Sequence, residues 1–416
     1  MIDDLIVIGA GAAGLATAIF AARRASAARV RCLDGARVVG AKILVSGGSR
    51  CNVTNRRVTD NDFWGGSPRV VRQVLRAFPA DRAVEFFAAL GVILHEESDG
   101  KLFPETNRSR TVLDALLHEL ARLRVPLETG SRVVEVRRED DAFAIALADT
   151  RTLRARTVVL ATGGKSLPKS GSDGAGYTFA QQLGHHLVPT TPALAPLLLD
   201  DDWHAGLSGV AHRAAASISV DGRLQRTLTG DWLWTHFGAS GPLALNVSRH
   251  WHRSDIEGAS AEVRLSLRPG QQFEDVDQWI QEQTSVRPRT RLVTVLSSEL
   301  PASVAETWLR RLQIDSATLL AHLTREDRRR LVHALTATPL QVRGTRGYQY
   351  AEVTAGGVPL AEVRPATMES RVCPGLYLVG EILDVDGRLG GFNFQWAWSS
   401  AFVAGQAIAA ALNQVS

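Results

Sequence analysis

The amino-acid sequence predicts an α/β protein: a doubly wound, Rossmann-like nucleotide-binding domain interrupted by a β-rich, barrel-like insertion with a helical appendage. Three observations predict it. Near the start, a β-branched apolar run passes through a glycine-patterned turn into an Ala-rich helix, from Leu5 to Arg24. Near the end, a strand, acid- and glycine-bearing turns and an apolar helix follow one another from Pro374 onward. Between them, alternating apolar patterns give way to helical spacing.

The chain has 416 residues, 45% apolar and 22% charged, which suits two or three folded domains and argues against wholesale disorder. Its net charge is +4, and only Lys42, Lys101, Lys165 and Lys169 are lysines, so arginine supplies nearly all the positive charge. Between Ile280 and Arg346, 11 arginines face 6 acidic residues, and a locally basic face attracts anions such as RNA. The three cysteines, Cys32, Cys51 and Cys373, have no paired spacing. That excludes a disulfide framework and a Cys-based zinc site, no metal site is expected, and a reducing cytoplasm fits. Leu5 to Ala22 is long and apolar, with only Thr17 polar, yet Asp3 and Asp4 precede it where a signal peptide carries positive charge. No membrane association is expected.

The first element is Leu5-Ile6-Val7-Ile8, a buried parallel strand by its composition. It enters Gly9-Ala10-Gly11-Ala12-Ala13-Gly14. Gly9 permits the tight turn, Gly11 lets the backbone approach a pyrophosphate, and Gly14 lets the helix pack closely on the strand. Ala13 lies in the same turn. A second strand, Val30 to Leu33, ends in Asp34, 20 residues after Gly14, where a carboxylate meets an adenosine ribose. Next comes Gly40-Ala41-Lys42-Ile43-Leu44-Val45-Ser46-Gly47-Gly48-Ser49-Arg50-Cys51-Asn52-Val53-Thr54-Asn55, which reads as a semi-buried, cofactor-wrapping loop. Strands follow at Arg132–Val136, Phe143–Leu147 and Thr157–Leu160, the last ending in Ala161-Thr162-Gly163-Gly164.

The C-terminal block reads as a strand to Val379, then Gly380-Glu381, Asp384, Asp386, Gly387 and Gly390-Gly391-Phe392-Asn393, with a helix from about Gln395. A helix start suits the electron-rich edge of a reduced flavin, and Glu381 is placed for ribityl hydroxyls. In the middle, Ala216–Val220, the Asp221-Gly222 turn and Val263–Leu267 suggest antiparallel sheet. Trp308, Leu309, Leu312, Leu319, Leu320 and Leu323 have helical spacing. The expected division is therefore 1–188 with 341–416 as the nucleotide domain, 189–272 as the β-rich substrate domain and 273–340 as the helical appendage. No second glycine fingerprint marks a separate NAD(P)H domain.

The glycine-rich segment 40–55 and the run Gly380 to Gly405, with Ala351–Val358 and Thr367–Ser370, resemble the HI0933-like (BaiN/RdsA-type) flavoproteins. The family usually has a third glycine where this chain has Ser49. The resemblance implies FAD as cofactor and an FAD domain carrying a β-rich and helical insertion. It implies that Val134 lies against the adenine and that Thr162, Gly163 and Gly164 close over the adenosine half. It also picks out Gly230 to Pro242, which holds a Thr-His-x-Gly core around His236. His236 and Cys51 are the candidate proton donors, each with a structural alternative: a capping histidine and an inert buried thiol. Lys42, Ser46, Gly47, Gly48, Arg50, Cys51 and Asn52 are candidate cofactor contacts, Arg50 also for an anionic substrate.

Relatives linked by the resemblance reduce steroid rings, oxidise aminoacetone or form dihydrouridine in ribosomal RNA. The expected reaction is hydride transfer at flavin N5, with NAD(P)H driving reduction of a conjugated C=C, uridine in ribosomal RNA foremost. The arginines of 280–346 would contact that RNA. The alternatives are a small-amine oxidase using O₂ and a non-catalytic flavin-bearing RNA-binding factor. A small molecule remains open as substrate, and oligomeric state is open too.

Overall fold

The computed structural model describes residues 2–415. It divides into two compact units: one runs through Pro192 and resumes at Ala351, and the other is Ala193–Tyr350.

The first unit is built on parallel strands. β1 (Asp3–Ile8) leads through the glycine turn into α1 (Ala12–Arg24), β2 (Val30–Leu33) and α2 (Ala41–Ser49). β1 pairs in parallel with β2 on one side and with Thr152–Leu160 on the other. Leu127–Glu128 extends the sheet beyond β2, and Leu376–Leu378 extends it beyond Thr152–Leu160, both in parallel. The C-terminal end of the chain thus supplies a strand of the N-terminal sheet. Thr152–Leu160 is longer than the sequence suggests. Its first half pairs antiparallel with Ala142–Leu147, which pairs with Val133–Glu139. Leu5, Ile6, Val7 and Ile8 of β1 are buried because both faces of the strand are covered, which is why they read as an unbroken apolar run.

Segment 40–55 departs from the expected loop, since Ala41–Ser49 begins as a helix. The chain leaves helical geometry at Ser46, Gly47 and Gly48, where the glycines take the left-handed conformation. The C-terminal helix begins at Phe392, earlier than Gln395, and runs to Val415.

The second unit holds a seven-stranded sheet. Its longest pair, Ala211–Val220 and Arg223–Thr235, is closed by Asp221 and Gly222, both at positive φ, as a two-residue hairpin requires. The two ends of the sheet path are Thr338–Leu340 and Val342–Thr345, with only Gln341 between them. A sheet whose two edges lie one residue apart in the chain must curl on itself, so the barrel-like reading has a simple cause. Val342–Thr345 pairs with Leu197–Leu199, which carries the second unit ten residues beyond the expected end at 340. Helices Phe273–Val286, Ala302–Arg311 and Arg325–Ala337 share one apolar cluster with the sheet, so the appendage and the strands have a common core. Leu319 and Leu323 flank a single 3₁₀ turn that begins at Leu320, rather than lying in an α-helix. Among the described residues no helix is long and apolar enough to cross a membrane, and no cluster of His, Cys, Asp or Glu could hold a metal ion.

Candidate cofactor site

The turn after β1 separates the roles of its three glycines. Gly9 has φ +101, and a Cβ there would lie 2.5 Å from the Ala161 carbonyl oxygen. At Gly14 a Cβ would lie 1.8 Å from the Gly9 oxygen. Both glycines are required by protein packing. Gly11 is not: its backbone is extended, and nothing lies within 4 Å of where its Cβ would be. The open space beside Gly11 meets the start of α1, where no side chain caps the helix and the first N–H groups have no intrahelical acceptor. Asp34 closes the turn from β2, its Oδ2 accepting from Ala10 N and its Oδ1 from Ala36 N, both at 2.8 Å. Each oxygen keeps a lone pair for a ribose hydroxyl.

The C-terminal strand end lies on this turn. Gly380 has φ +74, and a Cβ there would sit 2.8 Å from the Ala13 Cβ. Thr162 presents a buried Oγ1 with no hydrogen-bond partner among the described residues. Gly163 takes a positive φ against Ser172, and Gly164 packs on Thr354 and Glu381. Val134 is the extra residue of a β-bulge between Val133 and Glu135, and it is 51% exposed, as an apolar contact for a planar base would be.

Glu381 is placed differently from the sequence reading. Its Oε2 accepts from Lys42 Nζ at 2.5 Å, and its Oε1 accepts from Thr354 N and Ser166 Oγ, both at 2.9 Å. Lys42 Nζ also donates to Ser166 Oγ at 2.6 Å. The carboxylate therefore fastens three segments together before it meets any ligand. Ser166 and Thr354 were not singled out by sequence reasoning; only their places beside Gly164 and in the segment Ala351–Val358 could have drawn attention.

Arg50 is also engaged. Its Nη1 donates to Glu97 Oε1 at 2.6 Å, and its guanidinium stacks 4.2 Å from the Phe103 ring centre, while the side chain stays 40% exposed. Ser46 Oγ donates to the Ile43 carbonyl at 2.8 Å. Gly48 is exposed with nothing near its Cβ position. Cys51 is fully buried, and burial pushes its thiol pKa up to about 12 against a counteracting hydrogen bond with Ser46.

Segment 52–55 laces onto the start of the C-terminal helix. With its amide turned to match donors to acceptors, Asn52 accepts from Gly391 N at 3.1 Å and donates to Thr54 O at 2.8 Å. Thr54 Oγ1 donates to Gln395 Oε1 at 2.6 Å, and Asn55 Nδ2 donates to Gly390 O at 3.1 Å. A Cβ on Gly391 would lie 2.5 Å from the Thr54 carbonyl group. Asn393 grips Gly387 from both sides, accepting from its N at 2.7 Å and donating to its O at 2.9 Å. Phe392 is buried against Phe63, beneath the Arg388 guanidinium. Asn52, Phe392 and Asn393 thus position the helix start, whose first N–H groups precede the Gln395 N to Gly391 O bond.

These candidates all lie in the first unit. His236 lies in the second, exposed at the turn between Arg223–Thr235 and Gly238–Ser240, with its ring against Phe237. The arginines of 280–346 divide: Arg328 pairs with Asp277 and Arg330 with Asp327, while Arg311 stacks on Trp203. Arg289, Arg291, Arg325 and Arg329 are exposed and have no ion pair among the described residues.

The open space at Gly11, two helix starts whose first N–H groups lack intrahelical acceptors and the Thr162 hydroxyl, which has no partner among the described residues, fit a dinucleotide such as FAD.

The HI0933-like protein Rossmann domain family matches residues 3–407. A 3-dehydro-bile acid delta(4,6)-reductase of Clostridium scindens is 34% identical over 403 residues, covering 97% of this chain and 98% of that protein. A ribosomal RNA dihydrouridine synthase of Escherichia coli is 34% identical over 408 residues, 98% of each chain. Among solved structures, the 3-ketosteroid delta1-dehydrogenase of Sterolibacterium denitrificans, in complex with 1,4-androstadiene-3,17-dione, aligns with TM-score 0.51 and 13% identity over 98% of this chain and 99% of that one. The quinol fumarate reductase FrdA of E. coli aligns with TM-score 0.51 and 15% identity over 100% of this chain and 71% of that one. At these identities the two structures bear on fold alone.

Proposed function

Because this chain belongs to the HI0933-like family and is an FAD-dependent oxidoreductase, we propose that it uses NAD(P)H to reduce a carbon–carbon double bond conjugated to a carbonyl. One observation carries the reading. Two relatives, each 34% identical along nearly the whole chain, are named for reactions on such bonds: a 4,6-unsaturated 3-oxo steroid in one and uracil in the other. Uridine in ribosomal RNA is the substrate we place first, supported by the exposed arginines Arg289, Arg291, Arg325 and Arg329, which have no ion pair among the described residues and suit phosphate contacts. Reductive relatives favour this over amine oxidation and over RNA binding without turnover. Three free, buried cysteines accord with a cytoplasmic site of action.

When bound, FAD supplies hydride transfer at N5. The chain's own residues do the rest. The space at Gly11 admits the pyrophosphate to the N–H groups of α1, and the positive end of the helix dipole holds its charge. Asp34 keeps lone pairs for the ribose. The start of the C-terminal helix, fixed by Asn52 and Asn393, stabilises negative charge on the reduced ring. Lys42 and Glu381 tie α2 to both flanks of the site.

The test is anaerobic stopped-flow absorbance. NADH or NADPH is expected to bleach the yellow protein, and a 3-oxo-4-ene steroid or uridine-containing ribosomal RNA to restore the colour. Bleaching by aminoacetone alone would make the protein an amine oxidase.

A further inference from the structure

The reduction needs a proton at the carbon beside the carbonyl, and Cys51 is poorly suited to give it; resting on the reading above, we propose that Glu352 is that proton donor. Cys51 has a thiol pKa pushed up to about 12, far from the range in which general acids work well.

Glu352 stands immediately before the strand Val353–Gly357, whose Thr354 binds the Lys42–Glu381 network. Ser166 Oγ lies within reach of both Glu381 Oε1 (2.9 Å) and the Glu352 carbonyl (3.3 Å), which places the backbone of Glu352 against the same network. Unlike the groups around it, the Glu352 carboxyl has no hydrogen bond or ion pair among the described residues, and its one charged influence is Lys42.

Lys42 is already matched by Glu381 at 2.5 Å, and its pull on Glu352 is the smaller of the two effects there. The Glu352 side chain is open to water, yet protein crowds it at longer range. This desolvation pushes its pKa above the ordinary glutamate value, with Lys42 pulling the other way. The charged group bearing on it is Lys42 from α2, itself paired with Glu381 from the turn after Leu376–Leu378. A carboxyl whose pKa is raised above the ordinary value and that can recover a proton from water is suited to general acid work.

The step balances. Hydride from the reduced cofactor forms a C–H bond at the β carbon, and the C=C electron pair moves to the α carbon. The Glu352 O–H bond breaks, its proton forms the second new C–H bond, and the electron pair stays on the carboxylate, which water reprotonates. NAD(P)H is the reductant.

The experiment compares wild type, Glu352→Gln and Glu352→Asp. Each is reduced with NAD(P)H without oxygen, then mixed with a 3-oxo-4-ene steroid and with ribosomal RNA across pH. Wild-type reoxidation should be fast while the acid holds its proton and should slow as pH rises through its pKa. Glu352→Gln should bind FAD stoichiometrically and bleach at the wild-type rate, but reoxidise on the order of 100-fold more slowly with no pH dependence. Glu352→Asp should recover part of the rate. Infrared difference spectra of the apoproteins, wild type minus Gln, should contain a protonated-carboxyl band that fades with rising pH. An unchanged rate and pH profile in the Gln variant, or an ionised carboxylate at every pH, would overturn the proposal alone. A reduced wild type that no conjugated acceptor reoxidises would overturn the proposed function, and this inference with it.

Discussion

Gly9, Gly11 and Gly14 are one residue type, but the space around them differs. Gly9 and Gly14 are held by backbone 2.5 and 1.8 Å from their would-be Cβ atoms, so substitution there damages the fold itself. Gly11 has an ordinary backbone conformation and open space, so a side chain there meets only what binds beside it. Gly11→Val is therefore expected to leave apoprotein melting essentially unchanged and to abolish FAD binding. The flavin absorbance of the purified variant and its melting curve read the two effects separately, and a yellow, stoichiometric variant would refute the site. The division of labour among these glycines was legible from spacing, because a strand, turn and helix in register leave few other geometries. The side chains of Glu381 and Arg50 were not. Glu381 meets Lys42 across 339 positions and Arg50 meets Glu97 across 47, and a motif records residue types without recording which lone pairs the fold has already engaged.

At the scale of elements, reading erred where local chemistry is mixed. Segment 40–55 looked like a loop because Ser46, Gly47 and Gly48 break a helix, and they do, but only after Ala41 to Val45 have formed one. Ser49 stands at φ 68, where this chain lacks the glycine usual in the family, and it follows two glycines already in the left-handed region. The C-terminal helix was placed late because Gly390-Gly391-Phe392-Asn393 resembles turn chemistry. Its true start is fixed by Asn393, whose amide fills both hydrogen-bonding groups of Gly387. Asn393→Ala leaves that N–H and C=O without partners and is expected to destabilise the first unit by about 1–3 kcal/mol. Urea unfolding of the apoprotein measures it. FAD affinity should fall as well, since the helix start loses its fixed position, and an unchanged unfolding midpoint would remove Asn393 from that role.

For the whole molecule, the discontinuous nucleotide-binding unit was legible because both chain ends carry recognisable strand–turn–helix segments, and the parallel pairing of Thr152–Leu160 with Leu376–Leu378 is how they join. The far boundary was less legible. Nothing about Val342–Thr345 alone says that it pairs with Leu197–Leu199 and so belongs to the second unit. Two facts bear on whether the first unit stands by itself. It has its own apolar core, separate from that of the second, and the strands at its break, Val188–Ala193 and Val353–Gly357, pair with each other. A chain in which 193–350 is replaced by a short Gly/Ser loop is therefore expected to fold, because paired strands keep the cut ends near and loop closure costs little. All the residues assigned to the dinucleotide lie in that unit, so the shortened protein should remain yellow with one FAD per chain while losing turnover with RNA. Circular dichroism reports the fold and absorbance after gel filtration reports the flavin. A folded but colourless product would mean that the second unit supplies contacts the cofactor cannot do without, and the site would then have to be redrawn to include it.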